Sequence, residues 1–473
     1  MARVVVLGAG LTGLAAALVL ARDGHEVTVL ERDPADPVGG AEDLWEHWQR
    51  PGVSQFRLGH MMMGRWRRLA ERELPDVLAE VERLGGQVIG PMDVLPPSFT
   101  GGPRPGDEDL RTVQARRPVL EGAMVAVAAR TPGLVVRRGV KAESLLRGAA
   151  TDGVPHVAGV RAGRDGEIRA DLVVDAMGRR SPLADMLSAI GARRPVEERD
   201  QLGFVYYARH LRLIHDDVPQ IVPAIIDCEG MSVLVLPADA RTYSALFSCA
   251  ADDRALRPLR DEQVWERVLA LFPNLAQARA VSEPITPVQV MPGAEDRILR
   301  FVDGATPIAT GVVAVGDAAM RTNPSLGRGT SIGLTQVCVL RDVLREVGPG
   351  RPERLVTRFA EACEETVVPL YRRTLAQDRS RMAEIQADIA GTPHPPAGPD
   401  WSVTRALAAL SRTDPSILRA YARMFNHILE PRTALDEPGV RATYDELAPT
   451  LPRYAGTPTR AQVLAAIDDG GGG

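Results

Sequence analysis

Residues 3–33 read RVVVLGAGLTGLAAALVLARDGHEVTVLERD, and the rest of the chain is interpreted around them. The apolar run Arg3 to Leu7 predicts a buried parallel strand. Gly8-Ala9-Gly10-Leu11-Thr12-Gly13 follows, then an alanine- and leucine-rich helix to about Arg22. Gly24 breaks that helix, His25 to Leu30 form a second strand, and Glu31 stands at its end. This is a βαβ unit carrying a dinucleotide fingerprint in its proper context. Gly8 permits the tight turn, Gly10 lets the backbone approach a pyrophosphate, and Gly13 lets helix and strand pack closely. The helix start offers free N–H groups and a positive dipole end to phosphates. Glu31 is placed to accept hydrogen bonds from ribose hydroxyls.

The 473 residues allow about three domains and an ample core. The hydrophobic fraction of 45% and charged fraction of 25% are ordinary for a globular chain. A net charge of −5 with no basic tail argues against nucleic acid as a partner. Lys141 is the only lysine. Val4 to Ala21 contains three glycines and reads better as strand plus helix than as a membrane span. A cytoplasmic protein without membrane attachment is expected. Cys228, Cys249, Cys338 and Cys363 are far apart, so buried reduced thiols are expected. Neither a metal-ligand spacing nor a Ser-His-Asp arrangement is present.

Along the chain, residues 33–60 read as irregular, and Gly64 to Leu84 as one helix. Arg50 and Arg57 in this stretch are candidate contacts to a pyrophosphate or ring, and His60 is a candidate pocket residue. PMDVLPPSF (91–99) reads as an edge strand. A helix with Pro118 in its first turn follows Arg117, whose side chain is placed to reach a phosphate or ribose. VVRRGVKAESLL and HVAGVRAG predict strands of a small sheet. DLVVDAMGRRSPL (171–183) predicts a short strand ending at Asp175, with Gly178 allowing close backbone approach. GFVYYARHLRL, QIVPAIID, MSVLVLP and TYSALFSC, between 203 and 249, read as successive antiparallel strands, with Ala238 to Arg241 closing a hairpin. DEQVWERVLALF predicts a helix on that sheet. IATGVVAVGDAAMRTNPSLGRGTSIGL gives a strand from Val312 to Val315, then Gly316-Asp317, then a glycine-containing loop leading to a helix near Thr330. Beyond Arg351 the pattern is helical and amphipathic, broken at 391–400, with Gly470 to Gly473 expected to be disordered.

Three stretches together resemble the FAD-dependent monooxygenases of the para-hydroxybenzoate hydroxylase type over roughly residues 1–345. Gly8, Gly10, Gly13 and Glu31 match the dinucleotide motif. Asp175 and Gly178 stand where the family has Asp-Gly, in the variant DAMGRRS, and Gly316-Asp317 matches the Gly-Asp motif followed by PSLGRG. GVSQFRLGH is similar to a segment of actinobacterial relatives that epoxidise or hydroxylate polyketides. Met320 stands where many relatives carry His.

The resemblance implies an α/β fold: a Rossmann-like, glutathione-reductase-type FAD-binding domain, an inserted antiparallel-sheet substrate domain and a C-terminal helical region. The expected boundaries are 1–75, 110–180 and 297–345 for FAD, 76–109 and 181–296 for substrate, and 346–473 for the helices. It implies cofactor contacts from Gly8, Gly10, Leu11, Thr12, Gly13, Glu31, Arg32, Arg57, Arg117, Val140, Asp175, Gly178, Gly316, Asp317, Pro324, Gly327, Gly329, Thr330 and Ser331. His60, Tyr206, Arg209 and His210 are candidate pocket residues. The cofactor carries the chemistry, with O₂ as co-substrate and NAD(P)H as electron donor, directly or through a partner flavin reductase. The expected activity is insertion of one oxygen atom into a small, largely apolar molecule in natural-product tailoring, by a monomer or homodimer. A reductase of the geranylgeranyl-reductase type is the alternative. A flavin halogenase would need a lysine by the substrate, and Lys141 is predicted near the adenine half. A non-catalytic flavin sensor would need an output module, and none is legible.

Overall fold

A computed structural model describes residues 1–150, 153–215, 224–292 and 295–469. Part of the predicted strand QIVPAIID and the terminal Gly470 to Gly473 lie outside the described residues. The strands Arg3–Leu7 (β1), Glu26–Glu31 (β2), Leu134–Arg138 (β3), Leu172–Asp175 (β4) and Val312–Ala314 (β5) form one parallel sheet in the order β5-β4-β1-β2-β3. Val4, Val5 and Val6 are covered on both faces, the condition under which a parallel strand is apolar throughout. Helix α1 (Leu11–Arg22) crosses from β1 to β2 and packs against α2 (Gly329–Val347), so the two dinucleotide-side helices begin beside one another.

Strands Phe204–Leu213, Ala224–Cys228, Met231–Pro237 and Thr242–Ala250 build an antiparallel sheet, extended by Ser282–Pro284 and Gln289–Pro292. Ala240 and Arg241 close the predicted hairpin with φ of +52° and +57°. Alternation along these strands sends Val205, Tyr207, Val233 and Phe247 to one face, against Trp265 of helix Glu262–Leu269. Phe204, Tyr206, Leu234 and Leu246 go to the other face, where Met382 and Ile385 of α3 (Val368–Ala390) meet them. Because both faces are covered, these strands carry apolar residues on both faces over most of their length. The tail then forms a separate cluster in which Met424 of α4 (Pro415–Phe425) packs with Leu407 and Val440.

Four expectations need correction. The long helix divides into Gly64–Glu73 and Pro75–Arg83, because Pro75 has no N–H to continue the first helix and starts a second. PMDVLPPSF forms two helical turns, Pro91–Val94 and Pro97–Thr100, since three prolines cannot donate to a ladder. Leu134–Arg138 joins the parallel sheet as its edge, and the small sheet is made from Ser144–Arg147, Val157–Arg161 and Glu167–Arg169. The irregular segment 33–60 contains a helix, Ala41–His47, whose Trp45 is buried between the guanidinium groups of Arg57 (4.7 Å) and Arg116 (4.9 Å). All four cysteines are buried and free, as expected. No helix among the described residues is long and apolar enough to cross a membrane.

Candidate active site

A cavity of about 660 Å³ opens at the carboxyl ends of β1, β2, β4 and β5 and continues between the antiparallel sheet and the C-terminal helices. Gly8 has φ +99°, and a Cβ there would stand 2.7 Å from the Ala176 carbonyl oxygen; one on Gly13 would stand 2.0 Å from the Gly8 oxygen. Gly10 is different. Its Cβ would meet nothing within 4 Å, because Gly10 borders the cavity. Neither α1 nor α2 has a side-chain cap or an acid in its first turn, so both present unsatisfied N–H groups and a positive dipole end beside the same cavity.

One end of the cavity is ionic. Glu31 Oε2 accepts from Ala9 N (2.9 Å) and Arg50, and Glu31 Oε1 from Asp33 N (2.9 Å). Buried Arg50 also pairs with Asp33 (3.3 Å) and Glu121 and donates to the Ala9 carbonyl (2.8 Å). Burial alone would raise the Glu121 carboxyl, but Arg50 and Arg117 hold it below its ordinary value. Two guanidiniums thus answer three buried carboxylates, and Glu31 keeps acceptor capacity on Oε1 for a ribose hydroxyl. Val140, Lys141 and Arg32 line this end, with Val140 N donating to the Glu31 carbonyl (2.9 Å).

Further along, Arg117 donates to Glu121 Oε1 (2.7 Å) and approaches His60 Nε2 at 3.2 Å. His60 Nδ1 lies 2.9 Å from the Leu58 carbonyl. A carbonyl on one nitrogen and an arginine N–H on the other select the neutral tautomer with the proton on Nδ1. Burial and the Arg117 charge push the His60 pKa down to about 4. His60 therefore orients Arg117 and holds no exchangeable charge near neutral pH. Asp317 lines the cavity and makes no side-chain hydrogen bond among the described residues; burial raises its carboxyl against the pull of Arg117 and Arg321. A polyhydroxyl chain would supply the missing donors. Thr330 Oγ1 is buried without a partner among the described residues at the start of α2.

Of the other predicted positions, Gly8, Leu11, Thr12, Gly178, Pro324, Gly327, Gly329 and Tyr206 also border the cavity. Gly13, Gly316 and Ser331 do not; a Cβ on Gly316 would press on Thr12 Oγ1 at 2.9 Å, so this glycine serves helix packing. Asp175 is fully buried behind the lining, where it accepts from Met177 N (2.9 Å) and Ser181 Oγ (2.5 Å), and burial lifts its pKa to about 6. It shapes the loop that carries Met177 and Gly178 to the cavity. Arg57 stands outside the cavity, donating to the Trp48 carbonyl (2.8 Å) and bordering a second recess with Arg179 and Arg180. Arg209 points from the opposite face of its strand to Glu262 (2.6 Å) and Glu266 (2.8 Å). His210 shares a face with Tyr206 and Ala208 but lies two residues past the cavity, packed 4.9 Å from Trp45, with its pKa driven to about 3 by burial and Arg116. Period-two alternation and strand length thus remove Arg209 and His210 from the pocket.

The second half of the cavity is apolar. Tyr206, Ala208, Ile225, Leu234, Leu236 and Leu246 form one wall; Leu418, Tyr421, Ala422 and Phe425 of α4 form the other. Tyr206 OH donates to Asn323 Oδ1 (2.6 Å), and Ser325 donates to Asp378 of α3, so the sheet and the tail both hold the loop before α2. The α4 wall had no sequence signal, because amphipathic helices at a chain end look alike whatever they cover. Gln114, on the strand before Arg117, was equally silent.

This residue set suits FAD: helix N-termini for a pyrophosphate, a carboxylate with acceptor capacity to spare at each hydroxyl-bearing segment, and uncapped N–H groups for an electron-accepting ring. Comparison with known proteins agrees. Residues 3–89 match a model of FAD dependent oxidoreductases, and residues 112–371, over half of the chain, match the FAD binding domain family. Protein Rv3254 of Mycobacterium tuberculosis is 26% identical over 454 residues, covering 89% of both chains. Among solved structures, PqsL, a probable FAD-dependent monooxygenase from Pseudomonas aeruginosa, is 18% identical, covers 82% of this chain and 98% of its own, and superposes with a TM-score of 0.60. The flavin-dependent brominase Bmp2 is 14% identical, covers 94% and 98%, and gives 0.56. At such identities the structures share the fold alone. The matched models, with the cradle described above, make FAD the dinucleotide and the protein an FAD-dependent oxidoreductase: the chain belongs to the FAD binding domain family.

Proposed function

We propose that the protein is a monooxygenase that places one atom of O₂ into a small, largely apolar organic molecule, by hydroxylation or epoxidation, in the tailoring of natural products. The observation that carries this reading is the continuity of the cavity, from the charged dinucleotide cradle into an apolar chamber closed by α4. FAD, when bound and reduced, supplies the electrons that activate O₂. Glu31, the N–H groups of Leu11 and Thr12, Arg117 and Asp317 would hold it, with Gly327 to Thr330 facing its ring. The protein's own contribution is positional: apolar walls exclude water, His60 fixes Arg117, and Asp378 and Tyr206 brace the loop before α2. Residues 1–75, 110–180 and 297–345 would serve the cofactor, and 76–109 and 181–296 the substrate; the helices of 346–473 add the second wall of the chamber.

NAD(P)H is the proposed electron source, directly or through a flavin reductase. Because PqsL and Bmp2 share the fold, fold does not separate oxygenation from halogenation. What favours oxygenation is the lysine: Lys141, the only one, borders the cavity beside Val140 at the Glu31 end, away from the apolar chamber. The test is purified FAD-loaded protein with ¹⁸O₂, NAD(P)H and a panel of apolar aromatic and alkene substrates, with and without an added flavin reductase. One ¹⁸O per product molecule is expected. Bound, reducible FAD that yields a saturated product with no label would replace this reading with the reductase.

A further inference from the structure

Among the polar side chains that border the apolar chamber, Gln114 is set apart by a free amide oxygen. Strand Thr112–Gln114 pairs on both sides, Gln114 lying opposite Met61 and Gln87, so its backbone is committed. The strand approaches α4 at its far end, where Asn426 bridges the Gly64 N–H (2.8 Å) and the Leu110 carbonyl (3.4 Å). Gln114 borders the cavity, yet the residue is 1% exposed and its Oε1 has no partner among the described residues.

The orientation of this amide follows from its neighbours. The Thr112 hydroxyl gives its proton to the Ile89 carbonyl (3.3 Å). Thr112 Oγ1 is left as an acceptor, and Gln114 Nε2 donates to it (3.4 Å). A reversed amide would either face a second acceptor or draw the Thr112 proton away from the Ile89 carbonyl, so the arrangement that satisfies both leaves the Gln114 carbonyl oxygen as the free group. A buried acceptor without a donor is unfavourable until a ligand supplies one.

We propose that Gln114 is the specificity residue of the chamber, its Oε1 accepting a hydrogen bond from a hydroxyl or N–H group on an otherwise apolar substrate. This rests on the chamber being the substrate site of the proposed oxygenase. The ligand class is aromatic or polycyclic molecules with one donor set in a hydrocarbon frame, preferred over the same molecules with that donor alkylated. A site built around a buried acceptor rejects the analogue lacking the donor far better than an apolar pocket rejects a missing methylene.

The test uses 1-naphthol and 1-methoxynaphthalene as probes, with FAD-loaded protein and the ligand-induced change in flavin absorbance as readout. The wild type is expected to bind the naphthol about 10-fold or more tighter than the ether. Gln114→Met should bring the ratio to about 1 while FAD content stays the same. Gln114→Glu, which keeps an acceptor, should retain the preference. Equal affinities in the wild type, no binding of either probe, or a preference that survives Gln114→Met would overturn the proposal. Loss of FAD from Gln114→Met would overturn it too, because the residue would then serve the cofactor. Should that variant not fold, the wild-type ratio and Gln114→Glu still decide. Binding needs no turnover, so a failure here is distinct from a failure to incorporate ¹⁸O.

Discussion

The two ends of the cavity are built on opposite physical plans. At the Glu31 end, charged side chains bind each other: Arg50 joins Glu31, Asp33 and Glu121, and Arg117 joins Glu121 and His60. At the α4 end, apolar side chains from the sheet and the tail border the same space, with isolated polar atoms such as Gln114 Oε1. A buried ionic network is costly to form and specifies one geometry, which suits a ligand that never changes. An apolar chamber imposes less on shape, which would suit the proposed substrate site. The difference predicts that mutations at the first end abolish cofactor binding or folding, and that mutations at the second redistribute affinity.

The largest effect separates two glycines of one motif. Gly10→Ala should fold, since its Cβ enters open space, but should purify largely colourless because the methyl takes the room of the pyrophosphate. Gly13→Ala should fail earlier, in soluble yield, because its Cβ overlaps the Gly8 carbonyl. A yellow, fully loaded Gly10→Ala protein would refute the assignment of the cradle.

Next is Arg50→Ala, which strands Glu31 and Asp33 in a buried site, leaves Glu121 to Arg117 alone, and should cost roughly 3–5 kcal/mol in denaturant unfolding. The pH dependence follows in sign. Glu121 has a depressed pKa in the wild type, so its pairing stabilises above the ordinary carboxylate range and is lost as pH falls through the lower, folded-state value. The gap in Tm between wild type and Arg50→Ala should therefore be widest near neutral pH and narrow in acid.

Tyr421→Ala, at the other end, should keep its FAD and lose about 10-fold in affinity for an apolar ligand, about what burying half of an aromatic side chain supplies. A loss of bound FAD would break the division between the two ends. The smallest effect is expected from His60→Gln. His60 stays neutral down to about pH 4, whereas an unfolded histidine takes up its proton near 6.5. The unfolded chain thus binds more protons between these values, and stability rises with pH across that window. The variant should flatten that part of the Tm profile and leave the neutral-pH value nearly unchanged.

Features written within a few residues were legible in advance. The β1–α1–β2 unit, the hairpin at Ala238 to Arg241 and the reduced cysteines all follow from local backbone rules or from spacing. Errors arose where two local signals competed. In 91–99 the apolar residues suggested a strand, but proline cannot donate to one. Leu134–Arg138 has the composition of any edge strand, and only pairing with β2 assigns it to the parallel sheet. Arg209 and His210 are polar in an apolar strand, which marked them as handles. The face and the strand length then sent one to Glu262 and Glu266 and the other to Trp45.

The opening thirty residues by themselves determined that a dinucleotide is bound and how its phosphates are met. A glycine turn and a helix start form the core of their cradle from local backbone alone, and distant residues such as Arg50 and Ala176 only pack around it. The ring-side chamber was decided only by the tertiary structure. Its lining comes from segments near 89–114, 206–246 and 418–426, and no local rule relates a leucine on a sheet to a tyrosine two hundred residues later. Apolar residues bound for a core and apolar residues bound for a ligand obey the same periodicity. What distinguishes them is whether another wall arrives to fill the space.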